Sequence, residues 1–476
     1  MAYKYGNREQ VTFLPDSVEK YVPNVDPVRA YDAFINALSS KDLGLKIDRN
    51  AVGNSAYDPV AMLKILIYGY SYGWRSSRKL ERALNHNLSF IWLSGGLKPD
   101  HKTISNFRKA NKAVLEKILS QSARICFKLG LIEGNTLFVD GSKFRANAGN
   151  KEIRSKETWE KVQNSVKKRI KPLMNECRIL DENESENLVK MNKELKNREK
   201  LNTKIKMILQ EMNDEEKRNG TDADSKRMKS RQGFHAGFNS QIVTDEAHGL
   251  IVSVEVNAKV NDMNQLSNQI EHAENTLEKS CKNVCADAGY SSIDDLKKLV
   301  DLGRNIIVPT QKQALNTPKA EPFGKQMFNY DQKTDTYICP EGERLHRSHE
   351  HKRNNHTIYR MIKHTACGLC SHFGKCTSSK RGRSISRLKN EEIKKELEKI
   401  YESSEGQYIY AKRKMRVEHQ FGHIKRNLGA GQFLLRGIKG VNAEFSLLAS
   451  CFNITRMITL LGGVNPVIKS LQKLSI

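Results

Sequence analysis

The sequence predicts a mixed α/β protein with an all-α N-terminal region and two insertions. Before about residue 130, apolar residues recur at helical spacing, whereas after residue 233 they alternate in short runs typical of strands. A long, highly charged segment that is poor in glycine separates these regions. A chain of 476 residues is also too long for one simple core, so we expect several domains.

The chain is strongly basic, with 80 Lys and Arg against 54 Asp and Glu and a formal net charge of +26. This excess favours a polyanionic partner such as DNA, because each cation placed at a phosphate releases condensed counterions. A basic, well-solvated enzyme without such a partner is the alternative. Nine cysteines and a polar N-terminal stretch favour a reducing compartment over a secreted disulfide framework. We expect a cytoplasmic, nucleoid-associated protein without a membrane span, since the longest apolar run, 443–461, contains Glu444, Asn453 and Arg456.

Residues 1–130 are predicted to form short helices. One helix begins after Asp58 as N-cap, with Pro59 in the first position, and ends before Gly73. The apolar residues of this helix at helical spacing are Met62, Leu63, Leu66 and Ile67. In the next helix Leu80 and Leu84 face inward, and the predicted outward cations are Arg75, Arg78, Lys79 and Arg82. A third helix starts within 99–110, with Thr103 as its cap. Such helices suit a helix-turn-helix-like DNA-binding module, or a packing domain with a solvated face.

Residues 144–232 are predicted to form a projecting helical hairpin. Leu201, Ile205, Ile208 and Met212 step by four, three and four residues, which is typical of a short coiled-coil seam. The stretch that follows, 218–233, reads as a flexible return loop.

Two aspartates follow short apolar strands. Asp140 comes after Leu137–Val139, with Gly141 and Ser142 turning the chain away, and Asp287 comes after the strand 284–286. Carboxylates that share a cleft repel each other, so a site that collects them usually needs a cation. Oxygen ligands with little else favour Mg²⁺.

A late helix, roughly 405–428, supplies a third carboxylate. The spacing places Lys414, Glu418, Phe421 and Lys425 on one broad face. Glu418 would bind metal and the cations would contact DNA phosphates. A surface ion pair between Lys414 and Glu418 is the alternative. Asp262 precedes another helix and is predicted to be its N-cap, with a fourth metal ligand as the alternative.

The order of the elements is that of an RNase H-like domain. It runs through a strand with Asp, two strands, a helix, a strand with Asp, a helix, a strand and a late helix with Glu. We therefore predict the following parts: an N-terminal helical DNA-binding domain (1–130), an RNase H-like catalytic core (131–143, 233–310 and 405–462), a helical insertion (144–232), a small Cys-rich insertion (311–404) and a tail (463–476).

With these motifs, the chain resembles the DDE transposases of bacterial insertion sequences over nearly its full length. The segments "FVDGSKFRANA", "CADAGYSS" and "VEHQFGHIKRNLGAGQFLLRGIKG" look like those that carry the family's Asp, Asp and Glu. The resemblance implies that Asp140, Asp287 and Glu418 bind two Mg²⁺ (or Mn²⁺) ions for phosphoryl transfer on DNA.

The family's Tyr-x2-Arg-x3-Glu-x6-Lys signature is matched by Tyr410, Arg413, Glu418 and Lys425, with one departure. Four residues instead of three separate Arg413 from Glu418, so Lys414 is an alternative to Arg413. The predicted DNA contacts are Arg413, Lys414, Lys425, Arg436, Arg75 and Arg78.

Four cysteines in the segment 339–376 form a candidate zinc site. They are Cys339, Cys367, Cys370 and Cys376, and four thiolates are enough for a tetrahedral structural Zn²⁺. Because the segment is poor in apolar residues, we expect it to lack a core of its own and to be irregular. Unliganded thiols in a loop are the alternative.

We therefore predict a transposase that acts as a homodimer on the inverted-repeat ends of its element and on target DNA. Two alternatives remain: a metal-dependent nuclease without strand transfer, and a catalytically inactive, transposase-derived DNA-binding protein.

Overall fold

The computed structural model describes residues 17–45, 57–182, 188–213, 216–230, 233–315, 323–351 and 356–474. It confirms a mixed α/β chain and divides it into two compact units. The first unit comprises Met1–Asp262, Asn268–Lys282 and Lys412–Ile476, and the second comprises Met263–Ser267 and Asn283–Ala411.

The N-terminal part of the first unit is helical, as predicted. Its helices are α1 (Val18–Tyr21), α2 (Pro27–Asn36), α3 (Ser40–Leu43), α4 (Pro59–Ser71), α5 (Ser77–His86), α6 (Leu88–Leu93), α7 (His101–Ala110) and α8 (Lys112–Lys128). The Asp58 carboxylate accepts hydrogen bonds from the first backbone N–H groups of α4, which confirms the predicted cap. The prediction of Thr103 as a cap is wrong: Asp100 accepts from the Thr103 N–H, because α7 begins earlier than its apolar spacing indicated.

Two C-terminal helices complete this helical core. They are α18 (Ile438–Leu460) and α19 (Val464–Leu474), and α18 packs against both α4 and α8. The N-terminal helices therefore belong to the same compact unit as the C-terminal ones. In the described part of the chain no single helix is long and apolar enough to cross a membrane; α18 and α19 together pass that test as a pair bent by 108°.

The charged insertion contains two long helices, α9 (Lys156–Glu182) and α10 (Leu188–Glu211), which pack together. Two short strands, β2 (Ile153–Ser155) and β3 (Lys217–Asn219), pair near the base of these helices. Ile205, Ile208 and Met212 are buried against Trp159. Leu201 is exposed, so its place in the predicted seam is wrong.

Four antiparallel strands form the sheet of the first unit. They are β1 (Thr136–Arg145), β4 (Lys226–Ser230), β5 (Gly233–Asp245) and β6 (Ile251–Asn257). β5 pairs with β1 along one edge and with β4 and β6 along the other. Because β4 occupies 226–230, the prediction of a loop over that stretch is wrong. Helix α11 (Leu266–Leu277) follows β6, and its Leu266, Ile270, Ala273 and Leu277 are buried.

The second unit contains a parallel pair of strands, β7 (Asn283–Cys285) and β8 (Asn305–Ile307), joined through α12 (Ile293–Asp301). This is the predicted strand, helix and strand. A short helix, α13 (Gln311–Ala314), follows β8.

The segment after α13 was predicted to be irregular, and this prediction is wrong. It contains a five-stranded antiparallel sheet. Its strands are β9 (Asn329–Asp331), β10 (Thr336–Ile338), β11 (Arg344–His351), β12 (His356–Met361) and β13 (Ser384–Leu388). The helices are α14 (His364–Leu369) and α15 (Glu391–Glu402). The prediction that this segment lacks a core is also wrong. Its buried cluster consists of Phe328, Tyr337, Leu345, Tyr359, Met361 and Ile385.

The late helix is present close to its predicted bounds, but it is not a regular α-helix. It consists of α16 (Ser404–Arg413), a π-helical turn (Lys414–Glu418), α17 (His419–Gly422) and a second π-helical turn (His423–Asn427).

Candidate active site

Asp140 lies in the middle of β1 rather than at its end. The strand pairs Asp140 with Ile242 of β5 and continues to Arg145. The prediction that Gly141 and Ser142 turn the chain away is therefore wrong. β5 is 13 residues long and provides backbone partners beyond the apolar run, so the ladder continues where the side-chain pattern suggested an end.

Asp140 forms an ion pair with Arg413. Arg413 Nη1 lies 3.5 Å from Asp140 Oδ2, and the two side chains are only 14% and 15% exposed. The other carboxylate oxygen, Oδ1, lies 2.9 Å from the backbone N–H of Gly141. The pair ties the end of α16 to the middle of β1 and places a cation beside a carboxylate that is largely shielded from water.

Glu418 is the last residue of the first π-helical turn, which packs against the sheet. The Thr244 hydroxyl of β5 donates to the Arg416 carbonyl within this turn, at 2.9 Å. Glu418 and Lys414 are both exposed. In the described part of the chain, neither side chain forms an ion pair or a hydrogen bond, so the alternative of a Lys414–Glu418 pair is not realised.

The π-helical turn accounts for the departure from the family signature. An α-helix pairs residue i with i+4, and a π-helix pairs it with i+5, so a π turn takes one more residue than an α turn. Arg413 and Glu418 are five positions apart and flank this turn, whereas the signature has four positions. The wider π-helical turn therefore accommodates the additional residue. The residues after the turn keep the orientation that they would have in a regular α-helix without it.

Lys425 anchors the second π-helical turn to β1. Its ammonium group donates to the Ser142 hydroxyl at 2.6 Å and to the Lys143 carbonyl at 3.0 Å. It also lies 4.5 Å from the ring centroid of Phe144. Ser142 and Phe144 were not predicted as partners of this lysine. They lie two and four residues after Asp140 and therefore share its face of the strand, but a turn was predicted at these positions.

Asp287 belongs to the second compact unit, whereas Asp140 and Glu418 belong to the first. It follows β7, as predicted, and caps the 3-10 helix Ala288–Tyr290 by accepting from the Gly289 N–H at 2.9 Å. Within the described ranges, no three His, Cys, Asp or Glu side chains are grouped closely enough to hold a metal ion.

Asp262 does not cap the helix that follows it. Its Oδ1 accepts from Asn239 Nδ2 at 2.7 Å and from Gln241 Nε2 at 2.6 Å, and α11 begins only at Leu266. The N-cap prediction is therefore wrong, because two amide side chains of β5 hold this carboxylate.

The Asp262 carboxylate lies on the other face of β1 from Asp140. A Cβ added to Gly141 would come within 2.6 Å of Asp262 Oδ1, so the carboxylate rests against Gly141. Because successive strand residues point to opposite faces, the side chain of Asp140 faces away from it. This arrangement does not support Asp262 as a fourth ligand beside Asp140.

Two family models match the chain. Residues 338–458 match the model described as a transposase DDE domain, and residues 16–110 match the model described as a transposase domain, DUF772. The first match includes the helix of Arg413 and Glu418, and the second includes α4 to α7. The chain is an insertion-sequence DDE transposase.

Comparison with curated proteins gives no match. Among solved structures, the transposase is similar to a chain of the cryo-EM structure of a piggyBac transposase synaptic complex with hairpin DNA. The identity is 11% and the TM-score 0.35, over 95% of this chain and 79% of the other.

The predicted outward position of Arg75 in the transposase is wrong. Its guanidinium is buried and bonds to the Gly429 and Gln432 carbonyls, each at 2.7 Å, and to Glu444 at 2.5 Å. Arg75 therefore holds the loop after the second π-helical turn and is not the exposed DNA contact that was predicted.

Two other predicted DNA contacts are accessible. Arg78 is exposed on α5 and, within the described residues, has no ion pair. Arg436 is exposed, and its Nε donates to the Asn147 carbonyl at 2.9 Å.

The four cysteines of the predicted zinc site pack at one side of the core of the second sheet. Cys339, Cys367 and Cys376 contact that core, and all four are free thiols. Burial raises the pKa of Cys376, the nearby Arg383 lowers it, and Cys367, Cys339 and Cys370 raise it. Among the described residues, these four thiols are not grouped closely enough to hold a metal ion as they stand.

Proposed function

We propose that this transposase binds the ends of its insertion sequence and catalyses metal-dependent DNA cleavage and strand transfer. The observation that carries the proposal is the attachment of the Glu418 helix to β1 by Arg413 and Lys425. Together with the two transposase family matches, this attachment supports a catalytic core of the RNase H-like kind.

We assign Asp140, Asp287 and Glu418 as the metal ligands on the strength of their motif positions. Their donor chemistry fits Mg²⁺, because carboxylate oxygens are the hard ligands that this cation takes. Glu418 is exposed and, within the described residues, forms no ion pair, so its carboxylate is available. When bound, two such ions supply a more acidic water or 3′-hydroxyl and charge stabilisation at the leaving oxygen of a phosphodiester.

The remaining tasks fall to cations of the same helix. Arg413 is held beside Asp140, where a guanidinium can orient a carboxylate and also face a phosphate. Lys414, the next residue in the chain, is exposed and is suited to contact a DNA phosphate. Lys425 is bonded to β1, so we assign it a positioning role for the helix rather than a mobile phosphate contact.

The test compares Asp140→Asn, Asp287→Asn and Glu418→Gln with the wild type. The purified chain is incubated with Mg²⁺ and a plasmid that carries both ends of the element. We expect each variant to bind end DNA and to lose cleavage by at least about a hundredfold, since each removes one metal ligand charge. Normal cleavage by any one of them refutes that assignment.

Asp262→Asn is the matched control, because it removes a carboxylate on the other face of β1 and keeps an oxygen for Asn239 and Gln241. We expect it to cleave like the wild type. The same assay separates the alternatives: joined products support a transposase, cut products alone a nuclease, and binding alone an inactive DNA-binding descendant.

We also propose that the transposase acts as a homodimer on its two ends, because joining both ends requires two active sites or sequential use of one. Light scattering of the end complex should give two chains for two end duplexes. One chain for two ends would contradict the proposal.

Cys339, Cys367, Cys370 and Cys376 are proposed to hold a structural Zn²⁺. The proposal is supported by the donor set, since four thiolates suit zinc, and by the packing of Cys339, Cys367 and Cys376 against one core. Elemental analysis should find about one zinc per chain, and Cys367→Ser with Cys370→Ser should abolish it. Cys126→Ser with Cys451→Ser is the control pair, because both thiols are buried in the first unit. Equal zinc content in all three proteins would refute the site.

A further inference from the structure

Helix α7 has an outward face that consists of exposed polar side chains. Lys102, Asn106 and Lys109 are all exposed, and their spacing of four and three residues places them on one side of the helix. The inner side is closed by Ile104, which is fully buried.

The helix is held firmly from that inner side. His101 Nδ1 lies 2.9 Å from Glu81 Oε2 on α5. At the other end, Arg108 donates to the Tyr70 hydroxyl at 2.8 Å and to the Arg75 carbonyl at 3.0 Å. Bonds at both ends therefore present the outward face in one fixed orientation.

The outward side chains are not bonded to the described part of the protein, although Lys102 lies near the Asp100 carboxylate. Within the described residues, Lys102, Asn106 and Lys109 form no ion pair or hydrogen bond. An exposed amide and two lysines at helical spacing are thus available to a ligand.

The charge around this face is mainly positive, and its two carboxylates, the N-cap Asp100 and Glu81, lie at the start of α7. α7 contains no acidic residue, and the single acid of α5, Glu81, is bonded to His101. The neighbouring helix α5 exposes three further cations, Arg78, Lys79 and Arg82. The complementary partner is therefore a polyanion with donor and acceptor groups for an amide.

We propose that α7 is a DNA recognition helix, in which Asn106 reads an adenine in the major groove of the transposon end and Lys102 and Lys109 contact adjacent bases or phosphates. The inference rests on the proposed binding of the ends. An α-helix fits the major groove, and an asparagine amide pairs with adenine N6 and N7 in a bidentate way.

The dimensions agree with this assignment. From Lys102 to Lys109 the helix rises by about 10 Å, which corresponds to about three base-pair steps. Arg78, Lys79 and Arg82 of α5 then contact the phosphates that flank this short site.

The test measures the affinity of the full chain for a terminal-repeat duplex and for a scrambled duplex, without divalent cations. Asn106→Ala should lower the ratio of the two affinities by about 5- to 150-fold and leave binding to the scrambled duplex unchanged. Lys79→Ala and Arg82→Ala should weaken both duplexes alike, and each should reduce the salt slope by about one.

Asn36→Ala, at an exposed asparagine of α2, is the matched control and should leave the ratio unchanged. A scan with 7-deazaadenine, which lacks the N7 acceptor, sharpens the test. The wild type should lose affinity at one adenine, and Asn106→Ala should be insensitive there. Melting temperatures of all variants should match the wild type, since these side chains are exposed.

The possible failures are distinguishable. If the wild type prefers its own ends and Asn106→Ala retains that preference, the recognition helix is wrong and the proposed function stands. If the wild type does not distinguish the two duplexes, end binding itself is refuted, and this inference is refuted with it.

Discussion

Arg413 Nη1 and Asp140 Oδ2 lie 3.5 Å apart, which joins two predicted site residues from distant parts of the chain within one compact unit. The sequence alone left the role of Arg413 open because of its spacing from Glu418. The contact gives Arg413 a definite partner, and it makes Lys414 unnecessary as a substitute at this position. A cation bound at Asp140 would share the carboxylate with this guanidinium.

The Arg413–Asp140 pair should contribute measurably to stability. We expect Arg413→Gln and Asp140→Asn to show a coupling of about 1–3 kcal/mol in a double-mutant cycle of the free energy of unfolding, because either single change leaves a shielded charge without its partner. Denaturant unfolding measures this coupling. Lys414→Gln is the control: it should be additive with Asp140→Asn within about 0.5 kcal/mol. Additivity of both pairs would mean that the ion pair is absent in solution.

The first π-helical turn should tolerate the loss of one residue. Met415 is an exposed residue within the turn. Its deletion shortens the π turn to the length of an α turn, so Arg413 and Glu418 should stay on the same sides of the helix as in the wild type. We expect its melting temperature and DNA cleavage to stay close to those of the wild type. Inserting an alanine after Met415 is the counterpart, which should rotate Glu418 and abolish cleavage. Loss of cleavage in the deletion would show that the π turn itself is required.

The elements with a strong local signal were predictable. The Asp58 cap and the apolar spacing of α4 placed that helix correctly. Helix starts that depend on one capping side chain were less certain, and Asp100 was missed in favour of Thr103. A cap is a local contact that several nearby polar residues can make.

The parts that depend on non-local contacts were not predictable. β1 continues past Asp140 because β5 pairs with it. This pairing cannot be inferred from the sequence of β1 alone. The five-stranded sheet was read as irregular because its strands are short and rich in charge, while only a few aromatic residues form its core. Arg75 appeared to be a surface cation, since nothing local points to the distant Glu444.

The buried Arg75–Glu444 pair should be essential for the stability of the first unit. Arg75 is 7% exposed and Glu444 0%, and Glu444 also accepts from the Leu434 and Leu435 N–H groups. Arg75→Met should lower the free energy of unfolding by about 3–5 kcal/mol, because it leaves a buried carboxylate without its cation. Chemical denaturation provides the measurement.

Arg78→Met, three residues further along the chain, provides the comparison for Arg75→Met. Arg78 is exposed, so its replacement should change stability by no more than about 0.5 kcal/mol. The order should be reversed for DNA affinity. When both proteins are measured under conditions in which they are folded, Arg78→Met should bind DNA more weakly than Arg75→Met. Equal stability of the two proteins would contradict the burial of Arg75.

The stability of the transposase should fall below neutral pH partly through His423. Burial lowers the pKa of His423, and the nearby His419 lowers this pKa further. The His423 ring packs against Phe452 of α18 at 5.3 Å between centroids. An unfolded histidine takes up a proton near pH 6.5, whereas the folded one resists it. The contribution is therefore complete above about pH 6.5 and is lost as the pH falls through that value towards the lower pKa of the folded state.

Thermal unfolding between pH 7.5 and 5.5 tests this directly. His423→Gln cannot be protonated, so its stability should fall less steeply with pH, by up to about 1.4 kcal/mol per pH unit. His419→Gln should give a dependence of stability on pH between those of the wild type and His423→Gln. It removes the electrostatic effect of His419 on the pKa of His423 and leaves His423 buried. If both variants follow the wild-type slope, His423 takes up its proton equally in the folded and unfolded chain. The second π-helical turn would then be open to solvent rather than packed on α18.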